Sequence, residues 1–260
     1  MQPCCKAKKD GAKWIYISIF AAETDNARNT MRIGVIVAMD KEFNQLKTLI
    51  ADAKTETKGR KEFTTGLIGC NEVVLTQCGI GKVNSAVGAV ELISNYSPDL
   101  VISTGVAGGA DTDLNVTEVV ASTECAYHDA YCGDECEYGQ ILGMPARFKT
   151  PDDLVSKAMA INGKEALPKV HKGLIVSGEW FVDTKKKMRD ILDHFPAATA
   201  VDMESCSIAQ TCHTYGVPFI SFRIISDVPL KDTKAQQYYD FWATMADGSF
   251  GVTKAFLESL

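Results

Sequence analysis

Five short segments place carboxylates or glycines where an α/β chain leaves a strand or enters a helix. They are Ala38-Met39-Asp40-Lys41-Glu42, Cys78-Gly79-Ile80-Gly81-Lys82, Thr104-Gly105-Val106-Ala107-Gly108-Gly109, Val201-Asp202-Met203-Glu204 and Ile225-Ser226-Asp227-Val228. Carboxylates at such positions can donate or take protons or grip hydroxyls through two oxygens. Each segment also has an ordinary explanation. Glycines after strands let the chain turn. Asp202 or Glu204 would complement a helix dipole, Asp227 would serve as a turn or cap residue, and Glu42 would be a solvated carboxylate on a first helical turn. Neither glycine motif fits a nucleotide fingerprint. Gly79-Ile80-Gly81-Lys82 lacks the upstream glycine of a P-loop and is followed by Val83, and Gly105, Gly108 and Gly109 do not space as G-x-G-x-x-G.

The elements that must position these segments alternate from Met31 onward. Ile33 to Ala38 is a nearly unbroken apolar run, as a strand covered on both faces requires. Residues 40–52 show helical spacing through Phe43, Leu46 and Leu49/Ile50. Strands over about 62–68 and 72–78 flank a hairpin turn at Gly69-Cys70-Asn71-Glu72. A helix follows Gly81, and buried strands are predicted at Leu100–Ser103, Val116–Ser122, Leu174–Val176 and Pro218–Ile225. A helix from about Glu204 to Tyr215 should end with Gly216 in a left-handed cap, and about 234–259 reads as helical. The expected fold is one α/β domain over residues 31–260, three layers α/β/α around a central mixed, mostly parallel sheet. In such sheets ligands gather beyond the carboxyl ends of the strands, where these segments lie.

Residues 1–30 read as a leader or tail outside the fold. Four lysines precede a short apolar stretch, Trp14 to Ala22, which has the outline of a weak signal peptide but is about half a membrane span. The net charge of −6 and sequence pI near 5.3 argue against an electrostatic nucleic-acid binder. Nine cysteines cannot all pair within one chain, and several sit in apolar segments, so a reducing, cytoplasmic setting is expected.

From Met31 almost to the C-terminus the chain resembles the 5′-methylthioadenosine/S-adenosylhomocysteine nucleosidases of the nucleoside phosphorylase superfamily. Beyond the five segments, the resemblance runs through Tyr127-His128-Asp129-Ala130, Glu137-Tyr138-Gly139-Gln140 and Gly173-Leu174-Ile175-Val176-Ser177-Gly178. It implies hydrolysis of the N-glycosidic bond of both nucleosides, releasing adenine and the 5-thio-substituted ribose. Asp227 then corresponds to the acid that protonates purine N7, and Glu42 to the carboxylate that holds the attacking water. Glu204 corresponds to the group binding the ribose hydroxyls, with Met203 packed against the sugar. Phe181 resembles the residue stacking on adenine, Val182 a backbone contact to the base edge, and Ile80 and Tyr239 walls of the 5′-alkylthio pocket. The resemblance implies no cofactor, no metal, no nucleic-acid or membrane partner, and a homodimer in which the partner chain helps close the 5′ pocket; Cys132 to Phe148, long, aromatic and poor in regular pattern, is the segment expected to do so.

Two departures stand out. Val106 occupies a place where many members carry a small hydroxyl residue, and Asp202 one where Glu is common. Cys125, His128, Cys132 and Cys136 have ligand-like spacings, but nine cysteines make coincidence easy and no metal is expected. The rival readings are a purine nucleoside phosphorylase, a hydrolase of another 6-substituted purine nucleoside, and an inactive nucleoside-binding protein. A phosphorylase needs Arg or a nest of amides for phosphate. The strand-end loops lack Arg, and Glu42 would repel an anion. Arg223, four residues before Asp227, is expected further down its strand than the catalytic end.

Overall fold

The computed structural model describes residues 30–164, 166–231, 236–244 and 250–260, so the leader expected over 1–30 lies outside the described residues except for Thr30. The elements run β1 (Arg32–Val37), α1 (Asp40–Lys47), β2 (Ala51–Lys58), β3 (Lys61–Ile68), β4 (Asn71–Gln77), α2 (Lys82–Tyr96), β5 (Leu100–Gly109) and β6 (Val119–Tyr127). They continue with β7 (Phe148–Lys149), α3 (Asp152–Met159), β8 (Val170–Ser177), α4 (Lys185–Leu192), β9 (Ala198–Asp202), α5 (Ser205–Tyr215), β10 (Phe219–Asp227), α6 (Gln236–Thr244) and α7 (Gly251–Leu257). The expected hairpin between β3 and β4 is present, and Gly216 ends α5 with φ of 70°.

All strands belong to one sheet, ordered β10-β6-β8-β9-β5-β1-β4-β3-β2, with β7 beside β6. β5 is its hub. It pairs in parallel with β1 and with β10, and its end pairs antiparallel with β9. The β5–β10 ladder therefore closes β5, β10, β6, β8 and β9 into a ring, from which β1, β4, β3 and β2 extend. The sheet is mixed and pairs mostly in parallel, as expected, with antiparallel ladders at β2–β3, β3–β4, β5–β9, β6–β7 and β6–β10.

Helices cover both faces because strand residues alternate between them. Ile33, Val35 and Val37 of β1 join one core with Phe43 and Leu46 of α1, Leu154 and Ala158 of α3, and Phe256 of α7. Ile36 joins the other core with Leu92 of α2 and Ile208 of α5. Three elements escape a reading based on hydrophobic period. β2 is Ala51-Asp52-Ala53-Lys54-Thr55-Glu56-Thr57-Lys58, an edge strand almost wholly exposed, β7 has only two residues, and β9 occupies the segment expected to open a helix. Asp202 ends that strand, and α5 starts only at Ser205.

Candidate active site

Glu42 is the third residue of α1, and its carboxylate folds back over the helix start as in the reciprocal half of a capping box. Its Oε2 accepts the N–H groups of Ala38 and Met39, each at 3.0 Å. Its Oε1 accepts the N–H of Val106 of β5, at 3.1 Å. The side chain is buried, not solvated. Burial raises its pKa above the ordinary carboxylate value, against the opposing pull of Arg223 and the three backbone donors.

Arg223 supplies the positive charge that such burial demands. It does lie below Asp227 on β10, opposite Gly105 of β5, but its long side chain reaches the catalytic end. A Cβ on Gly105 would stand 2.6 Å from Arg223 Nη1 and 2.6 Å from Glu42 Oε1, so only glycine leaves room for both groups there. The guanidinium pairs with Asp202 Oδ2 at 2.6 Å, donates to Ser205 Oγ at 3.0 Å and to Ser103 Oγ at 2.8 Å. Asp202 also accepts from Ser177 Oγ and Ser205 Oγ. Desolvation alone would lower the pKa of Arg223, but Asp202, Glu204 and Glu42 together raise it, so it remains a cation. An arginine in an otherwise apolar strand, Phe222-Arg223-Ile224-Ile225, was the sequence signal for a buried carboxylate partner.

Glu204 immediately precedes α5, and its Oε1 accepts the N–H of Gly81 at 2.9 Å. Its pKa is pushed up to about 7, first by burial and then by Asp202, with Arg223 opposing. Asp227 ends β10, and Ser226 Oγ donates to its Oδ1 at 2.7 Å.

Lys82, beside Gly81, is committed to a brace. Its Nζ reaches both oxygens of Asp129 at 2.8 and 2.9 Å, while Asp129 Oδ2 accepts the N–H of Glu179. Glu179 Oε1 in turn accepts the N–H of Lys82 at 2.8 Å. The loop that holds Glu204 is thereby tied to the loop that carries Phe181.

These groups converge on one cavity that is partly open to solvent. Glu42, Ile80, Phe181, Val182, Met203, Glu204 and Asp227 all line it, together with Val106, Trp180 and Tyr238. Tyr239 does not. It lines an adjoining outer cleft, while Tyr238 faces the cavity and stands edge-on to Phe181 at 5.3 Å. Adjacent helical residues point about 100° apart, so a one-residue difference in register decides which tyrosine reaches the ligand space. Trp180 was not singled out from sequence. It meets the buried ring of His128 edge-on at 5.3 Å.

Cys125 is buried and Cys132 exposed. Among the described residues no three His, Cys, Asp or Glu side chains are grouped to hold a metal ion, and all seven described cysteines are free. No described helix is long and apolar enough to cross a membrane.

A family model described as the phosphorylase superfamily matches residues 32–258. The 5′-methylthioadenosine/S-adenosylhomocysteine nucleosidase of Bacillus cereus (strain G9842) is 42% identical over 204 residues, covering 78% of this chain and 88% of the relative. The structure of S-adenosylhomocysteine nucleosidase from Streptococcus pyogenes, in complex with 5-methylthiotubericidin, superposes with a TM-score of 0.83 at 32% identity, covering 90% of this chain and 99% of that one. The 5′-methylthioadenosine/S-adenosylhomocysteine nucleosidase of Neisseria meningitidis, in complex with methylthio-immucillin-A, gives a TM-score of 0.83 at 35% identity over 88% of this chain and 100% of that one.

Proposed function

The chain belongs to the phosphorylase superfamily and, within it, to the 5′-methylthioadenosine/S-adenosylhomocysteine nucleosidases. From that premise we propose that it hydrolyses the N-glycosidic bond of both nucleosides, with Glu42 and Asp227 as the catalytic pair. The C1′–N9 bond breaks and a C1′–O bond to water forms, giving adenine and the 5-thio-substituted ribose. Asp227 delivers a proton to purine N7, so the base leaves neutral. Glu42 holds the water and takes its proton, the arrangement that suits an oxocarbenium-like transition state. Glu204 accepts hydrogen bonds from the vicinal ribose hydroxyls through its two oxygens. Phe181 stacks on adenine, the backbone of Val182 meets the base edge, Met203 packs on the sugar, and Ile80 with Tyr238 borders the 5′ substituent.

The observation that carries this reading is the convergence of Glu42, Glu204 and Asp227, from three distant parts of the chain, on one cavity that also holds Phe181. The fate of Arg223 weighs against a phosphorylase. Its guanidinium is buried, paired with Asp202 and absent from the cavity lining, so it offers no cationic seat for phosphate. The Val106 N–H is already given to Glu42.

The working form in this reading is a cytoplasmic homodimer, with residues 132–148 closing the partner's 5′ pocket. In its favour, Tyr131 and Leu142, beside and within this segment, are large apolar side chains left exposed in the single chain. The deciding experiment for the chemistry measures adenine release from each nucleoside in phosphate-free buffer, then titrates phosphate and identifies the sugar. Free 5-thio-ribose at an unchanged rate is expected. Dependence on phosphate, with a sugar phosphate as product, would make the enzyme a phosphorylase.

A further inference from the structure

Beside the catalytic cavity, in the single chain, lies a wider cleft that opens to solvent. The two spaces share Ala38, Met39, Ile80 and Tyr238 in their walls. A substituent that leaves the cavity past Ile80 and Tyr238 therefore enters the cleft. The cleft leaves room beyond that threshold for a substituent longer than methylthio.

The cleft also has a definite character. One side is aromatic, formed by Tyr238, Tyr239 and Trp242, with Tyr238 edge-on to Tyr239 at 5.6 Å and to Trp242 at 6.2 Å. Such rings suit a thioether and methylene chain. The cleft also carries two adjacent opposite charges, Asp40 and Lys41, from the first turn of α1. Lys41 Nζ sits 5.1 Å from the centroid of the Trp242 ring, and among the described residues neither Asp40 nor Lys41 takes part in an ion pair. A neighbouring anion and cation beside an apolar wall match one ligand chemistry well, an α-amino acid zwitterion at the end of a short aliphatic thioether.

We propose that this outer cleft is the specificity site for the amino-acid end of a long 5′-thio substituent, with Lys41 binding its carboxylate and Asp40 its ammonium. The inference rests on the nucleosidase reading above and adds the residues that distinguish S-adenosylhomocysteine from methylthioadenosine. Both charges are exposed, so each contact is worth what an exposed ion pair is worth, about threefold in affinity.

The test compares KM values for the two nucleosides and for 5′-butylthioadenosine, whose tail has length but no charge, using the full-length protein. Lys41→Met and Asp40→Asn should each raise the ratio of KM for S-adenosylhomocysteine to that for methylthioadenosine about threefold, without raising the corresponding butylthio ratio. In the wild type, added salt should raise the S-adenosylhomocysteine KM selectively, because exposed charge contacts are screened. Ratios that stay fixed in both variants would overturn the proposal, as would a butylthio ratio that rises in parallel. Failure of the wild type to release adenine from methylthioadenosine would instead overturn the nucleosidase reading, and this inference with it.

Discussion

Arg223 and Asp202 meet at 2.6 Å with each side chain only 1% exposed, and this pair underlies two of the carboxylates that the site assembles, Glu42 and Glu204. A guanidinium held there balances Glu42 and Glu204 without entering the ligand cavity. Breaking a buried pair by removing one partner strands the other charge, at a cost of about 3–5 kcal/mol. Asp202→Asn and Arg223→Met should each lose stability on that scale in urea unfolding. The double variant should lose less than the two single losses summed, because no charge is then left alone.

Asp227→Asn should reduce turnover by about two to four orders of magnitude, the usual worth of a positioned acid. An amide keeps hydrogen-bonding capacity but has no proton to give to N7. Nucleoside affinity, measured by calorimetry, should survive in part. Near-normal turnover in a folded variant would remove Asp227 from the mechanism.

Glu42 and Glu204 should separate kinetically. Glu42→Gln should bind nucleoside but fail to hydrolyse it, since the water loses its base. Glu204→Gln should weaken sugar binding and the transition state together, raising KM while lowering kcat. Single-turnover and equilibrium binding measurements on the pair would expose a reversal of these roles.

The pH dependence follows from Glu204, whose pKa is pushed up to about 7. Sugar binding in this reading needs the ionised carboxylate, so kcat/KM should fall as pH drops below about 7, and Glu204→Gln should erase that limb. The stability effect has the opposite sense. A carboxyl whose folded pKa is raised binds protons more tightly in the native state. Its contribution is therefore fully present below the unfolded value near 4.5 and is lost as pH rises through about 7. Nucleoside-free protein should show the loss in denaturant midpoints across that window, and the Gln variant should not.

Light scattering at micromolar concentration should give twice the chain mass. Leu142→Glu, placing a charge on an exposed apolar side chain of the 132–148 segment, should shift the mass toward the monomer and raise KM, because the 5′ pocket loses its cover. A fully active monomer would refute the dimeric site.

Much of this site could be read from local sequence. Glu42, Glu204 and Asp227 sit where short apolar strands give way to loops or helices, and both their type and their strand-end position are properties of a few consecutive residues. The left-handed cap at Gly216 is local in the same sense. Other features arise only when distant segments meet. The β5–β10 ladder closes part of the sheet and sets Gly105 opposite Arg223, which brings the guanidinium to Glu42. No spacing along the chain encodes that meeting, because pairing between strands more than a hundred residues apart is decided by the whole core. The rotation of α6, where one residue turns a side chain by about 100°, sets Tyr238 against both the inner cavity and the outer cleft and Tyr239 against the cleft alone. The outer cleft, with Asp40 and Lys41 facing an aromatic wall from the other end of the chain, exists only in the folded molecule.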